Sequence, residues 1–267
     1  MPLNIVVCVK NTPSTANVSV DSSTGKVKSA GLTYAMNPFD EFAVEEAVRL
    51  KEKTAGSTVT ALSVGPESSE SVLRDAISRG CDASVLVTGS EFEGAGSFTI
   101  SYALSLALKK LHAEKPVHVV LFGKNTNDGG EGVVGGETAA WLDWPGVMSV
   151  KKIDAIDEKS ATVWRMMEDG VDVLKVTLPA CLSTVKEINE PRLPSLKGKM
   201  ASKKAVIPKW KAADIGMKPE EAGQLATAVV ARYSSPPPRP AGMRITGETP
   251  EETAKKLVDV LIERKLI

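Results

Sequence analysis

The chain has 267 residues, 42% of them hydrophobic and only 4% aromatic, and its 33 Lys+Arg balance its 33 Asp+Glu. That length supports a large domain with an aliphatic core, and the balance argues against a nucleic-acid footprint spread over the surface. No apolar run approaches the ~20 residues that span a bilayer, so membrane insertion is not expected.

Asn4–Lys10 (NIVVCVK) is a short β-rich run bounded by polar residues and reads as a buried strand. It begins too near the N-terminus to leave room for a signal peptide, which predicts an intracellular protein. Residues 11–34 are polar, with a turn signal at Ser22–Gly25. Asn37-Pro38 then opens a helix, with Asp40 and Glu41 in its first turn and Phe39, Ala43, Ala47 and Leu50 at helical spacing.

Ser57–Val64 is a second strand closed by Gly65-Pro66, and Ser69–Arg79 a second helix with Gly80 just beyond it. Ala83–Thr88, Ser97–His112 and Val117–Phe122 continue the alternation as strand, helix and strand. Such alternation predicts a parallel sheet covered by helices on both faces, with ligands at the carboxyl ends of the strands.

One loop at that edge stands out. Gly123–Gly136 (GKNTNDGGEGVVGG) carries six glycines between a strand and a helix signal. Glycine is favoured where backbone must approach something closely, and a helix N-terminus suits a phosphate. A solvated surface loop is the plain alternative.

From Val150 the runs Val150–Ile156, Ala161–Met167 and Val171–Leu178 read as an antiparallel meander that extends the sheet, with Ala180–Val185 as a further strand. After Asn189 periodicity fades and prolines accumulate, at Pro191, Pro194, Pro208, Pro219 and Pro236 to Pro240. Two parts are therefore expected: residues 1–189 as an α/β domain, and 190–267 as an extended arm. Thr249-Pro250-Glu251-Glu252 has the form of a capping box and opens a terminal helix with Ala254, Leu257, Val258 and Leu261 on one face. Between Lys186 and Lys211 lie eight basic residues against Glu187 and Glu190, either a solvated arm or a docking surface for an acidic partner.

The chemistry inventory is sparse. Cys8, Cys81 and Cys181 are far apart in apolar runs and His112 and His118 are the only histidines, so buried reduced thiols are expected and a metal site is not. The sequence has no GxSxG, no P-loop and no GxGxxG after its first strand, and Cys8 has no histidine near it in sequence. Asp128 and Glu131 fit a role in shaping the glycine loop or binding a ribose better than one as an acid/base pair. Cofactor binding and partner docking are supported; self-contained catalysis is not.

Several blocks carry a resemblance over nearly the whole chain: NPFDEFAVEEAVRLKE at Asn37–Glu52, Gly65-Pro66, Gly123-Lys124 with Asp128, Leu142-Asp143-Trp144-Pro145, and Asn189-Glu190-Pro191-Arg192 followed by Pro194-Ser195-Leu196-Lys197-Gly198. In order and spacing they resemble the β subunit of electron transfer flavoprotein. The resemblance implies an adenine-nucleotide-hydrolase-like α/β fold with an antiparallel extension and a C-terminal arm. It also implies an obligate heterodimer with an α subunit that holds the redox-active FAD, and an AMP with a structural role in this subunit.

By position, the implied nucleotide contacts are Cys8, Asn37, Pro38, Phe39, Asp40, Val64, Gly123, Lys124, Asn125, Thr126, Asn127, Asp128, Gly129, Gly130, Glu131, Gly132, Val133 and Val134. The implied recognition segment for acyl-CoA-type dehydrogenases comprises Asn189, Glu190, Pro191, Arg192, Pro194, Leu196, Lys197 and Met200, with Leu196 as the apolar anchor. A bacterial cytoplasm is implied, or the mitochondrial matrix for a eukaryotic member.

The departures are also specific. Asn125, Thr126 and Asn127 replace the family's usual QAI, Val133 and Val134 stand at positions usually Gln and Thr or Val, Gly136 replaces Pro, and Met166 stands where an acid usually follows the arginine. Some relatives bind a second FAD in place of AMP and bifurcate electrons from NADH, and the adenosine pocket is common to both. A nucleotide-binding regulatory module of universal-stress type shares the sheet plan but leaves the segment beyond Asn189 unexplained.

Overall fold

In the computed structural model, which describes every residue except 15–17, 29–30, 219, 222–224, 226–229, 238 and 240, the first apolar run is strand β1 (Asn4–Cys8), buried at every position. A ribbon of β2 (Asn11–Pro13) and β5 (Tyr34–Met36) carries the chain out and back, with Asn11 opposite Met36. Between them β3 (Val20–Asp21) and β4 (Lys26–Val27) form the signalled hairpin, with Gly25 at φ 63°. The ribbon returns the chain beside β1, where helix α1 (Pro38–Lys53) begins. Proline at its first position lacks only an N–H that no helix would use there.

The alternation then runs as expected: β6 (Thr58–Val64), α2 (Glu70–Arg79), β7 (Ala83–Val87), α3 (Ser97–Glu114), β8 (Val119–Gly123), α4 (Val134–Leu142). The strands β6, β1 and β8 lie side by side in parallel, with β7 beyond β6. Their alternate residues feed two cores. Ile5, Val7, Ala61 and Leu121 meet α1 and α2 on one face, while Val6, Leu62, Val120 and Phe122 meet α3 and α4 on the other. Leu62, Leu86 and Leu121 are 0% exposed, and burial of each such side chain contributes about 2 kcal/mol.

The meander forms as β9 (Gly146–Ile156), β10 (Ser160–Met166) and β11 (Val171–Thr177), antiparallel throughout. The fourth strand, β12 (Ala180–Thr184), does not extend it. It inserts in parallel between β8 and β9, so the meander sits one strand farther from the centre than chain order suggests.

The arm expected from residue 190 does not leave the domain there. Helix α5 (Leu196–Lys204) packs on α2, and Gly198 is required at that contact because a Cβ would fall on the Ser78 carbonyl. The short β13 (Lys209–Trp210) pairs with β7 and closes the sheet at nine strands, in the order β11-β10-β9-β12-β8-β1-β6-β7-β13. Ile207, Ala212, Ile215 and Met217 are buried behind it. The first compact unit accordingly comprises residues 1–18 and 27–231. Pro219, Pro238 and Pro240, taken as marks of an irregular arm, lie outside the described residues.

The second compact unit comprises residues 19–26 and 232–267. In it the Tyr233 N–H donates to the Gly25 carbonyl at 2.9 Å. The terminal helix α6 (Pro250–Glu263) has Pro at its start, and Thr249 Oγ1 accepts from the Glu252 N–H at 3.1 Å. Glu252 does not close the box onto Thr249; its Oε2 accepts from the Glu248 N–H instead. Within this unit none of the helix's residues is buried, and Leu257, Val258 and Ile262 are exposed.

Candidate functional site: the carboxyl edge of the sheet

From β1 the chain winds outward through β6 and β7, then crosses back to β8 on the other side of β1. The loops after β1 and β8 therefore diverge, and such a reversal is where open α/β sheets bind ligands. Both are candidate segments from the sequence. The structure joins them through the start of α1.

Asn37 is the centre of the junction and is fully buried. Its Nδ2 donates to the Asn125 carbonyl at 2.8 Å and to Asp40 Oδ1 at 2.9 Å, while its Oδ1 accepts from the Asn127 N–H at 3.3 Å. Its side chain does not cap α1; it fastens the glycine loop to that helix. Asp40, also buried, accepts from the Lys10 N–H at 2.8 Å through Oδ2. Burial pushes the Asp40 carboxyl up to about 7, even though the Lys10, Asn37 and Gly123 donors all favour its charged form.

Gly123 ends β8 against the same turn. A Cβ there would lie 2.7 Å from the Phe39 carbonyl carbon and 2.8 Å from the Asp40 nitrogen. This is the close approach that the glycine-rich composition signals, at the loop's first residue. Farther on, Gly130 and Gly132 have φ of 72° and 67°, which turn the loop back toward α4.

The loop divides into two halves. Lys124 to Asp128 are tied outward: Lys124 N–H to the Thr184 carbonyl at 3.0 Å, Asn127 Nδ2 to the Pro13 carbonyl at 3.1 Å, and Asp128 to the Lys10 ammonium at 2.7 Å. Gly129 and Gly130 bond back to Thr126 within the loop. Val133 precedes α4, and no side chain among the described residues caps that helix, so the N–H groups of its first turn are open to an anion. The helix predicted after the glycines is thus present and uncapped. Backbone amides so placed can take an anion such as a phosphate.

The remaining candidates divide similarly. Val64 ends β6 at the same edge and packs against the α3–α4 core, to which Cys8 belongs. Pro38 is exposed and Phe39 half-buried at the α1 start, while Lys124 and Glu131 are exposed on the loop. Cys8 is buried, and burial, with Cys181 and Asp40 nearby, holds its thiol well above the ordinary cysteine range, so it packs rather than reacts. Part-burial raises the Asp128 carboxyl, but the Lys10 ammonium and the Thr126 and Gly129 donors outweigh this and hold it below the usual range. It shapes the loop as a carboxylate. Lys10 is the participant that sequence reasoning missed; a lone lysine at a strand end carries no signal.

The segment after Asn189 is split between anchoring and exposure. Asn189 Nδ2 donates to the Phe42 carbonyl and to Glu46, and Arg192 grips Glu45 and Glu52 of α1 together, with contacts of 2.5 to 3.1 Å. These two residues, grouped from the sequence with the docking set, here hold the segment to its own domain. Leu196 and Met200, 79% and 57% exposed, face solvent above Arg74 and Ser78 of α2, and Leu193 is 87% exposed. In the meander, Arg165 finds its acid across the strand pair at Asp172, with Met166 beside it.

Among the described residues no group of His, Cys, Asp and Glu could hold a metal ion, and no helix is long and apolar enough to cross a membrane. The family model described as the electron transfer flavoprotein domain matches residues 24–215. The chain is 37% identical over 266 residues to the caffeyl-CoA reductase-Etf complex subunit CarD of Acetobacterium woodii, covering 99% of this chain and 100% of that one. It is 32% identical over 271 residues to the electron transfer flavoprotein subunit beta of Megasphaera elsdenii, with 99% and 100% covered. To Protein FixA of Azotobacter vinelandii it is 33% identical over 241 residues, with 89% and 85% covered.

Proposed function

The chain belongs to the electron transfer flavoprotein family as a β-type subunit, and on that premise we propose that its switch-point cleft holds an adenine nucleotide, as AMP, in a structural role. In this reading the phosphate takes the uncapped start of α4, to which Gly129–Val133 lead. The observation that carries this reading is the bonding of Asn37, whose side chain ties the glycine loop to the start of α1 and whose N–H donates to the Lys10 carbonyl just past β1. No nucleophile or acid/base pair in the cleft suggests turnover there. The nucleotide serves as a pin between the β1, α1 and β8 segments, and electrons pass through FAD held mainly by an α subunit.

In this reading the subunit pairs with that α subunit in a bacterial cytoplasm and receives acyl-CoA-type dehydrogenases at the α5 segment. Leu196 and Met200 supply the apolar anchor, and the exposed lysines around them steer an acidic partner. The test is composition: co-purify the heterodimer, extract it and count ligands. One FAD with one AMP supports the reading; two FAD and no AMP replaces it.

That outcome is the second reading, in which the same adenosine pocket takes half of a flavin and the subunit oxidises NADH. Gly136 is compatible with it, because a Cβ there would meet nothing within 4 Å.

A further inference from the structure

Lys10 lies outside the contact set that the family resemblance implies, yet it is held at three points. Its N–H donates to Asp40 Oδ2 at 2.8 Å, its carbonyl accepts from the Asn37 N–H at 2.9 Å, and its ammonium meets both Asp128 oxygens at 2.7 and 2.8 Å. Asp128 Oδ1 in turn accepts from the Gly129 N–H at 2.8 Å. The chain of contacts thus runs from buried Asp40 through Lys10 and Asp128 to the first peptide of the loop's second half. Without Lys10, the Asp128 carboxylate would keep its Thr126 and Gly129 donors but lose its cation.

We infer that Lys10 is a positioning residue for this site: by latching Asp128 it holds the glycine loop facing the α4 start, and the latch sets how fast the nucleotide leaves. The inference rests on the nucleotide reading above. Lys10 and Asp128 side chains are 48% and 29% exposed, so salt reaches the pair and weakens it.

The rival role, in which Lys10 abandons Asp128 to bind phosphate directly, makes an opposite prediction. Asp128→Asn would then free the ammonium and slow release. The latch requires that Lys10→Met and Asp128→Asn each speed release about fivefold, the upper range for a partly exposed pair, and that the double variant be no faster than either. Salt should accelerate release from the wild type and not from the single variants, and the swap Lys10→Asp with Asp128→Lys should recover slow release.

The measurement is nucleotide loss from the purified heterodimer after dilution, at low and high salt. Slower or unchanged release in Asp128→Asn, or additive single effects, overturns the latch. A wild-type complex without nucleotide would instead overturn the nucleotide reading. Amide exchange of residues 125–132 in the full chain then decides the latch alone: it must rise in Lys10→Met, and unchanged exchange overturns it.

Discussion

Gly123→Ala puts one methyl group at the junction of strand, helix and loop. Its carbon would lie 2.7 Å from the Phe39 carbonyl carbon, 2.8 Å from the Asp40 nitrogen and closer still to Asp40 Oδ1. Two of the three are backbone atoms in the first turn of α1, and no rotamer change can move them. β8 and α1 must part by about half an ångström or more, an overpacking that costs about 3 kcal/mol. Parting them also stretches the Asn37 bonds to Asn125 and Asn127, each worth about 1 kcal/mol.

The expected loss is thus about 4 kcal/mol, or a fall in melting temperature of about 10 °C for a chain of this size. Gly136→Ala is the matched control: its methyl meets nothing within 4 Å, and in α4 it should stabilise the free protein by about 0.5 kcal/mol. Urea unfolding and extracted nucleotide content report the two effects. A Gly123→Ala protein within 1 kcal/mol of wild type, as judged against the ~1 kcal/mol expected of an ordinary substitution, and still loaded with nucleotide would refute the reasoning.

Three further outcomes can be checked. Arg192→Ala removes the guanidinium from Glu45, whose side chain is only 7% exposed, and leaves it the residue-192 N–H; it should cost about 2 kcal/mol and expose residues 190–205 to protease. Arg192→Lys should recover little of it, since an ammonium cannot span the two carboxylates as the guanidinium fork does. Leu196→Ala should leave urea unfolding and cofactor content unchanged, because the side chain is 79% exposed, while weakening reduction by the dehydrogenase; unaltered transfer kinetics would remove the anchor. Asp40 makes stability depend on pH. Burial pushes its folded carboxyl up to about 7, from an ordinary value near 3.8, so the folded state holds the proton more tightly. Its contribution is complete below about pH 4 and is lost as pH rises to about 7, at most about 4 kcal/mol. Asp40→Asn should flatten this part of the profile, seen by subtracting the variant's unfolding curve from the wild type's; a wild-type loss undiminished in the variant places the titration elsewhere.

Elements governed by local pattern were legible in the sequence. The Asn37-Pro38 helix start, Gly80 past α2 and the Thr249 cap each rest on one residue's backbone chemistry, and each is present. The glycine loop could be located the same way, at the right edge of the right strand. What tertiary contact decides was not legible. Ile207 and Met217 are isolated apolar residues without a period, so their return to the core could not be seen, and Pro208 looked like a mark of irregular chain although its carbonyl accepts the Leu86 N–H. Nor does any pattern separate Gly123, needed for a close approach, from Gly136, where a Cβ would meet nothing within 4 Å. The pairing of Lys10 with Asp128 spans 118 positions, and only the fold brings them together.

The insertion of β12 between β8 and β9 has a consequence for dissecting the molecule. Every residue implied as a nucleotide contact lies between Cys8 and Val134, which suggests that the first half of the chain could be cut out as a minimal nucleotide binder. Such a fragment would end before Ala180. It would leave one side of β8 without a neighbour, and Lys124, at the root of the loop, without the Thr184 carbonyl that its N–H bonds. Possession of the contact residues is therefore not possession of the site: the cleft belongs to the finished sheet, and a deletion map by residue would misplace it.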